Sequence, residues 1–186
     1  MALTINQITA LFHAQGAVQY GSEAINQLQH ALQCAHLAEQ AGASPELTAA
    51  ALLHDLGHLL APGDSAQALK TDDVHQYVAI PFLRSLFPDA VIEPIRLHVD
   101  AKRYLYRMDK HYRASLSPES QRSLVLQGGP FSEDESARFM AQAFATDAVA
   151  LRRWDDRAKD PAATPPDWAH YLRVLKSATG ARNAAV

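Results

Sequence analysis

Leu47-Thr48-Ala49-Ala50-Ala51-Leu52-Leu53-His54-Asp55-Leu56-Gly57-His58 decides how the rest of the chain is read. From Leu47 to Leu56 it is nearly all Ala and Leu, the pattern of a helix buried on most of its sides. Ser44-Pro45-Glu46 opens it with a hydroxyl cap, a proline at the first helical position and an acid in the first turn. Gly57 supplies a stop and lets the backbone pass close to whatever sits there. At the end of this apolar helix a histidine and an aspartate stand side by side. Burying either without a partner is costly. A divalent or trivalent metal meets that cost, because it takes neutral imidazole nitrogen and ionised carboxylate oxygen together. Asp55 has two oxygens and could bridge two metals.

Outward from this helix the pattern stays helical. A short amphipathic helix is predicted from Thr4 to about His13, then a break over Gln15 to Gly21. A long helix follows to about Ala41, with Ser22 as its cap and a 3.6-residue period through Ile25, Leu28, Leu32, Ala35 and Leu37. Ala61 to Asp73 reads as a loop. Helices are predicted from about Val74 to Leu86, from about Val91 past Tyr106, and from Ser117-Pro118-Glu119 to about Gln127. Pro94 is placed in the first turn of the second of these. Ser132 and Glu135 form a capping-box pattern ahead of a helix to about Trp154. A last helix spans about Trp168 to Lys176, and the tail 181–186 is expected to fray. The reading is one all-α domain over 1–186, of seven or eight helices and no strands.

Composition narrows the function classes. The 186 residues carry 17 Lys+Arg against 20 Asp+Glu, a net charge of −3, which argues against a general electrostatic nucleic-acid binder. No apolar run reaches the roughly 18 residues of a membrane span, and Met1 to Asn6 lacks the basic start of a signal peptide. Cys34 is the only cysteine, so no intrachain disulfide can form, and a reducing, cytoplasmic setting is expected. Nine histidines beside one thiol mean that any metal takes imidazole and carboxylate ligands.

Further candidate ligands lie at long spacing. His30 falls in the second helix, His75 at the start of the fourth, His98 in the fifth. Asp147 is the only carboxylate between Glu135 and Asp155, and Phe144 and Leu151 are placed on its helix face. His13, His36, His111 and His170 are assigned no site role, Cys34 reads as a small buried thiol, and Trp154 and Trp168 as core residues.

His30, His54-Asp55 and Asp147 resemble the His…His-Asp…Asp signature of the HD superfamily of metal-dependent hydrolases and oxygenases, which are helical bundles. The likeness extends over Tyr20-Gly21-Ser22-Glu23, His54 to His58, His98 to Leu105 and Leu126-Gln127-Gly128-Gly129-Pro130. These segments are similar to the PhnZ-type phosphonate oxygenases, mixed-valence di-iron enzymes related to myo-inositol oxygenase. The resemblance implies two iron ions (Fe(II)/Fe(III)) with O2 as co-substrate. One iron would take His30, His54, Asp55 and Asp147, and the other His75, His98 and bridging Asp55. It implies oxidation of a 1-hydroxy-2-aminoethylphosphonate-type organophosphonate and cleavage of its C–P bond, giving phosphate and a carboxylic acid such as glycine.

The substrate residues come with the same resemblance. Lys102, one turn after His98, suits a phosphonate oxygen. Ser120, Ser123, Gln127 and His58 are candidate phosphonate hydrogen-bonders. Residues 15–23 would act as a lid, with Tyr20 able to occupy the metal site and Glu23 helping to select an amine. Two alternatives stand beside this reading. One is an HD phosphohydrolase in which metal-activated water attacks a nucleotide or other phosphate ester. The other is a non-catalytic sensor or scaffold on the same fold.

Overall fold

The structure is a computed structural model and describes residues 2–61 and 74–179. Among the described residues there are twelve helices and no strand. The expected loop over 61–73, apart from Ala61, and the expected frayed tail lie outside the described residues.

Helix α1 (Ile5–Gln15) starts at a Thr4–Gln7 capping box. Helix α2 (Gln27–Gln40) starts later than the periodicity suggests. Asn26 caps it in a reciprocal box with Gln29, and Ser22 instead donates to Glu119 Oε2. Residues 16–26 form a loop held by its own backbone. Tyr20 N–H donates to Ile25 O, Gln27 N–H to Val18 O and Leu28 N–H to Gly16 O, and Gln19 and Asn26 form an isolated antiparallel bridge. Those closures use donors that a longer helix would need.

Helix α3 (Pro45–Leu53) opens at the Ser44 cap, with Pro45 in its first turn. It ends at His54, not at Gly57. Asp55 turns the chain, and α4 (Leu56–Leu60) begins at once with Gly57 inside it. The glycine is needed for closeness: a Cβ there would lie 2.1 Å from the His75 carbonyl oxygen. The expected helix from Val74 is two short ones, α5 (His75–Val78) and α6 (Ile80–Leu83), with Pro81 at the start of α6. Helix α7 (Asp89–Met108) is the longest, and Pro94 lies inside it, past the first turn.

Helices α8 (Lys110–Ser115) and α9 (Pro118–Leu126) follow, α9 capped by Ser117 as its sequence implies. The helix expected from Ser132 to Trp154 is two. Helix α10 (Glu133–Met140) has the Ser132–Glu135 box, and α11 (Ala145–Arg157) begins after Phe144, whose φ of 63° lies in the left-handed region. That region is costly for a bulky residue and incompatible with a continuous helix. Helix α12 (Trp168–Ala178) closes the described chain.

The core forms around α3, which packs against α2, α7, α11 and α12. Ala49, Ala50, Ala51 and Leu53 are fully buried there. Three consecutive alanines allow neighbours on several sides, and those neighbours surround the His54-Asp55 turn. Trp154 and Trp168 are buried in the same core, and so is the Cys34 thiol. Among the described residues no helix is long and apolar enough to cross a membrane.

Candidate metal centre

Four helices and one turn deliver the site. His30 comes from α2, His54 and Asp55 from the end of α3, His75 from α5 and His98 from α7. All are buried. Asp55 sits between two groups. Its Oδ2 lies 3.4 Å from His54 Nε2 and 3.6 Å from His30 Nε2, and its Oδ1 lies 3.3 Å from His75 Nε2 and 3.7 Å from His98 Nε2. His58 approaches Oδ1 at 3.9 Å and stacks on His75, ring centroids 4.1 Å apart.

The carboxylate that completes the first group is Asp155, not Asp147. Asp155 Oδ1 lies 3.4 Å from His30 Nε2 and Oδ2 lies 3.7 Å from His54 Nε2. His30, His54 and Asp155 form one set of potential ligands, and Asp55, His58 and His75 another. Asp147 is on the same helix, but eight residues earlier, about 12 Å along the axis. The reason for the displacement is the break at Phe144. Asp147 stands in the first turn of α11, where an acid complements the helix dipole. The buried stripe of α11 runs instead through Leu151, Trp154 and Asp155. That i, i+3, i+4 spacing was the available signal, and ending the helix at about Trp154 left Asp155 off it.

The donor set fits metal. His30 Nδ1 lies 2.8 Å from Ala158 O, His54 Nδ1 2.9 Å from Ala51 O and His98 Nδ1 2.7 Å from Ile95 O. Carbonyls only accept, so each Nδ1 carries the proton and each Nε2 turns a lone pair inward. Yet His30 Nε2 and His54 Nε2 are 3.3 Å apart, and His75 Nε2 and His98 Nε2 3.0 Å apart. Lone pairs at that range repel unless a cation sits among them. At Asp55 Oδ2 the His30–His54 pair meets in this way and suits a cation, and at Oδ1 His75 and His98 offer two more imidazole nitrogens that a second cation could take.

The titrations follow from this crowding. Burial works against ionised Asp55, but His54, then His75 and His58, outweigh it and hold the carboxyl well below the usual range. For Asp155 burial is outweighed chiefly by Arg152, with the same result. Burial, then His75 and His54, push His98 well below the usual imidazole value. Burial also lowers His54, but Asp55 and then Cys34 reverse it and raise the ring.

Of the expected substrate residues, Tyr20 and His58 touch the ligand groups directly. Tyr20 stacks on His30, ring centroids 3.8 Å apart, and its hydroxyl donates to Asp155 Oδ1 at 3.3 Å. Burial, then Asp155 and Asp55, raise its pKa far above the phenol value, so it stays neutral. Lys102 is 2% exposed and donates to Ser123 Oγ at 2.8 Å. Burial, then Arg152, bring its pKa down to about 7. Ser120 donates to Asp156 Oδ1 at 3.2 Å. Gln127 Oε1 is a buried oxygen with no hydrogen-bond partner among the described residues. Glu23 accepts from Lys159 Nζ at 3.1 Å.

Arg152 was not foreseen from the sequence. It is buried, donates from Nη1 to Asp155 Oδ2 at 2.8 Å and holds Asp156 through Nε and Nη2. Tyr112 also binds Asp156. The i, i+3 and i, i+4 spacing to Asp155 and Asp156 was the signal for this arginine. His13, His36, His111 and His170 lie outside both ligand groups.

The chain matches the HD domain family over residues 28–125, which includes His30, His54, Asp55, His75 and His98 but not Asp155. It is 44% identical over 178 residues to a hydroxymethylphosphonate dioxygenase of Gimesia maris, covering 92% of this chain and 87% of that protein. It is 34% identical over 170 residues to a [1-hydroxy-2-(trimethylamino)ethyl]phosphonate dioxygenase (glycine-betaine-forming) of Leisingera caerulea, covering 91% of this chain and 87% of that one.

Proposed function

The chain belongs to the HD-domain family, among its phosphonate dioxygenases, and from that premise we propose that it is a di-iron oxygenase of small 1-hydroxyphosphonates. With O2 it oxidises the carbon that bears hydroxyl and phosphorus, 1-hydroxy-2-aminoethylphosphonate being the type compound. The C–P bond breaks, and phosphate and a carboxylic acid such as glycine are released. The balance closes, since hydroxyphosphonate plus O2 has the composition of the acid plus phosphoric acid. The single observation that carries the reading is Asp55, whose two oxygens face two separate histidine pairs. An ester hydrolase needs only metal-activated water, and both dioxygenase relatives favour the oxidative reading over it.

His30, His54, Asp55 and Asp155 would hold one iron, and Asp55, His75 and His98 the other. Bound there, the pair supplies one-electron chemistry toward O2 and Lewis acidity at substrate oxygens. The protein does the rest. Lys102 is a buried cation bonded only to a hydroxyl, which a phosphonate dianion would compensate. Its negative charge would keep Lys102 protonated at a pH where that ammonium alone is half titrated. The hydroxyls of Ser120 and Ser123 and the amide of Gln127 would orient phosphonate oxygens, and His58 borders the Oδ1 side. Tyr20, lying flat on His30, covers one end of the centre and excludes water until substrate arrives. The single buried Cys34 suits a reducing cytoplasm.

The test is to load the protein with iron(II), admit air briefly, and record EPR spectra with and without 1-hydroxy-2-aminoethylphosphonate. Phosphate release is then measured with and without O2. A mixed-valence signal perturbed by substrate and oxygen-dependent phosphate are expected. Phosphate released from esters without oxygen, with no such signal, would overturn the reading in favour of a hydrolase.

A further inference from the structure

Lys159 lies just beyond α11, and its ammonium is shared three ways. Nζ donates to Ser120 Oγ at 3.0 Å, to Glu23 Oε1 at 3.1 Å and to Ser117 Oγ at 3.2 Å. An ammonium has three protons, so it is saturated. Both partners of the ion pair are mostly buried, their side chains 13% and 18% exposed. Ser117 caps α9 and Ser120 lies in its first turn, so the cation sits at the positive end of a helix dipole. Glu23 offsets that cost. The pair borders the substrate side of the centre: Nζ is 6.0 Å from the centroid of the Tyr20 ring that covers His30, and Ser123, one turn after Ser120, takes Lys102.

We propose that Lys159 is a specificity residue that occupies Glu23 with its own ammonium, so that a cationic substituent on a 1-hydroxyphosphonate binds only in competition with it. This rests on the reading of the site given above. Glu23 is the carboxylate at this rim that would attract a substrate cation, and here it is already neutralised. A substrate ammonium must displace Lys159, and a second cation beside it meets like-charge repulsion. A primary ammonium can replace the hydrogen bond that Lys159 gives to Glu23. A trimethylammonium has no N–H and cannot, so it is disfavoured most.

The test reads a ratio of affinities. Iron-loaded protein is titrated calorimetrically, without oxygen, with hydroxymethylphosphonate and with 1-hydroxy-2-aminoethylphosphonate. Lys159→Met, which keeps most of the stem, should shift the ratio toward the aminated compound by about twofold to fivefold, the worth of a partly exposed ion pair. Glu23→Gln should shift it the other way, and Lys159→Arg should hold it near the wild-type value. A general packing defect would weaken both compounds alike and leave the ratio unmoved. An unchanged ratio in Lys159→Met and Glu23→Gln, or no binding of either compound to the wild type, would overturn the proposal. Failure of the oxygenase reading shows separately, as absence of oxygen-dependent phosphate while the ratio still responds to Lys159.

Discussion

The two oxygens of Asp55 face histidines of the same chemistry held by scaffolds of different stiffness. On the Oδ2 side, His30 and Asp155 stand on helices of 14 and 13 residues, and His54 caps the core helix α3. Both imidazoles there are locked by backbone carbonyls. On the Oδ1 side, His98 is equally well held on α7, but His75 belongs to a four-residue helix that starts after Val74, a β-branched residue at φ 48°. His58, which stacks on His75, keeps 30% of its side chain exposed. The donors alone would not separate the two sides. Their supports make the Oδ2 side a built-in part of the core and the Oδ1 side the one whose geometry can yield.

The sharpest way to break this comparison is to remove what the sides share. Asp55→Ala should abolish binding of both irons and lower phosphate release by about three orders of magnitude or more. Retention of a full pair, measured by metal analysis, would refute the bridge. Asp155→Asn should act on the Oδ2 side, with loss of iron there and activity down about 100-fold or more; unchanged iron content would remove Asp155 from the centre.

Gly57→Ala should act on the Oδ1 side. Its Cβ would collide with the His75 carbonyl, so α5 must move. A fall in activity of about 10- to 100-fold is expected, with one iron kept. Loss of both irons together would show the sides to be one rigid unit.

A smaller effect concerns protons. Lys102 has a folded-state pKa of about 7, lowered first by burial and then by Arg152, below its value in the unfolded chain. Between those two values the unfolded state binds more protons, so stability rises with pH through that window. The metal-free protein should therefore gain stability relative to Lys102→Met from about pH 7 to about pH 10, by a few kcal/mol at about 1.4 per unit. Parallel denaturation curves across pH check this, and a flat difference would mean that Lys102 is not desolvated. Smallest of all, Asp147→Ala should keep both irons and shift stability by only about 0.5 kcal/mol.

Much of this was legible because local chemistry agreed with the fold. Ser44, Ser117 and Ser132 cap helices where their motifs say they should. The apolar run before His54 is as buried as its composition implies, and His30, His54, Asp55, His75 and His98 do converge. The failures share a cause. Phe144 breaks a helix that periodicity read as continuous, and with the break the carboxylate of the centre passes from Asp147 to Asp155. Asn26 outcompetes Ser22 as a cap because the loop of residues 16–26 closes on itself.

By itself the sequence determined the helical class, the buried His54-Asp55 pair and the imidazole–carboxylate character of the centre. Those follow from residue type and short-range spacing, which local physics enforces. The tertiary structure alone decided which aspartate completes the first group, that Arg152 lies against it, and that Lys159 claims Glu23 from 136 residues away. Such pairings depend on where helices stop and how they cross, which local spacing can suggest on one helix but cannot decide between helices.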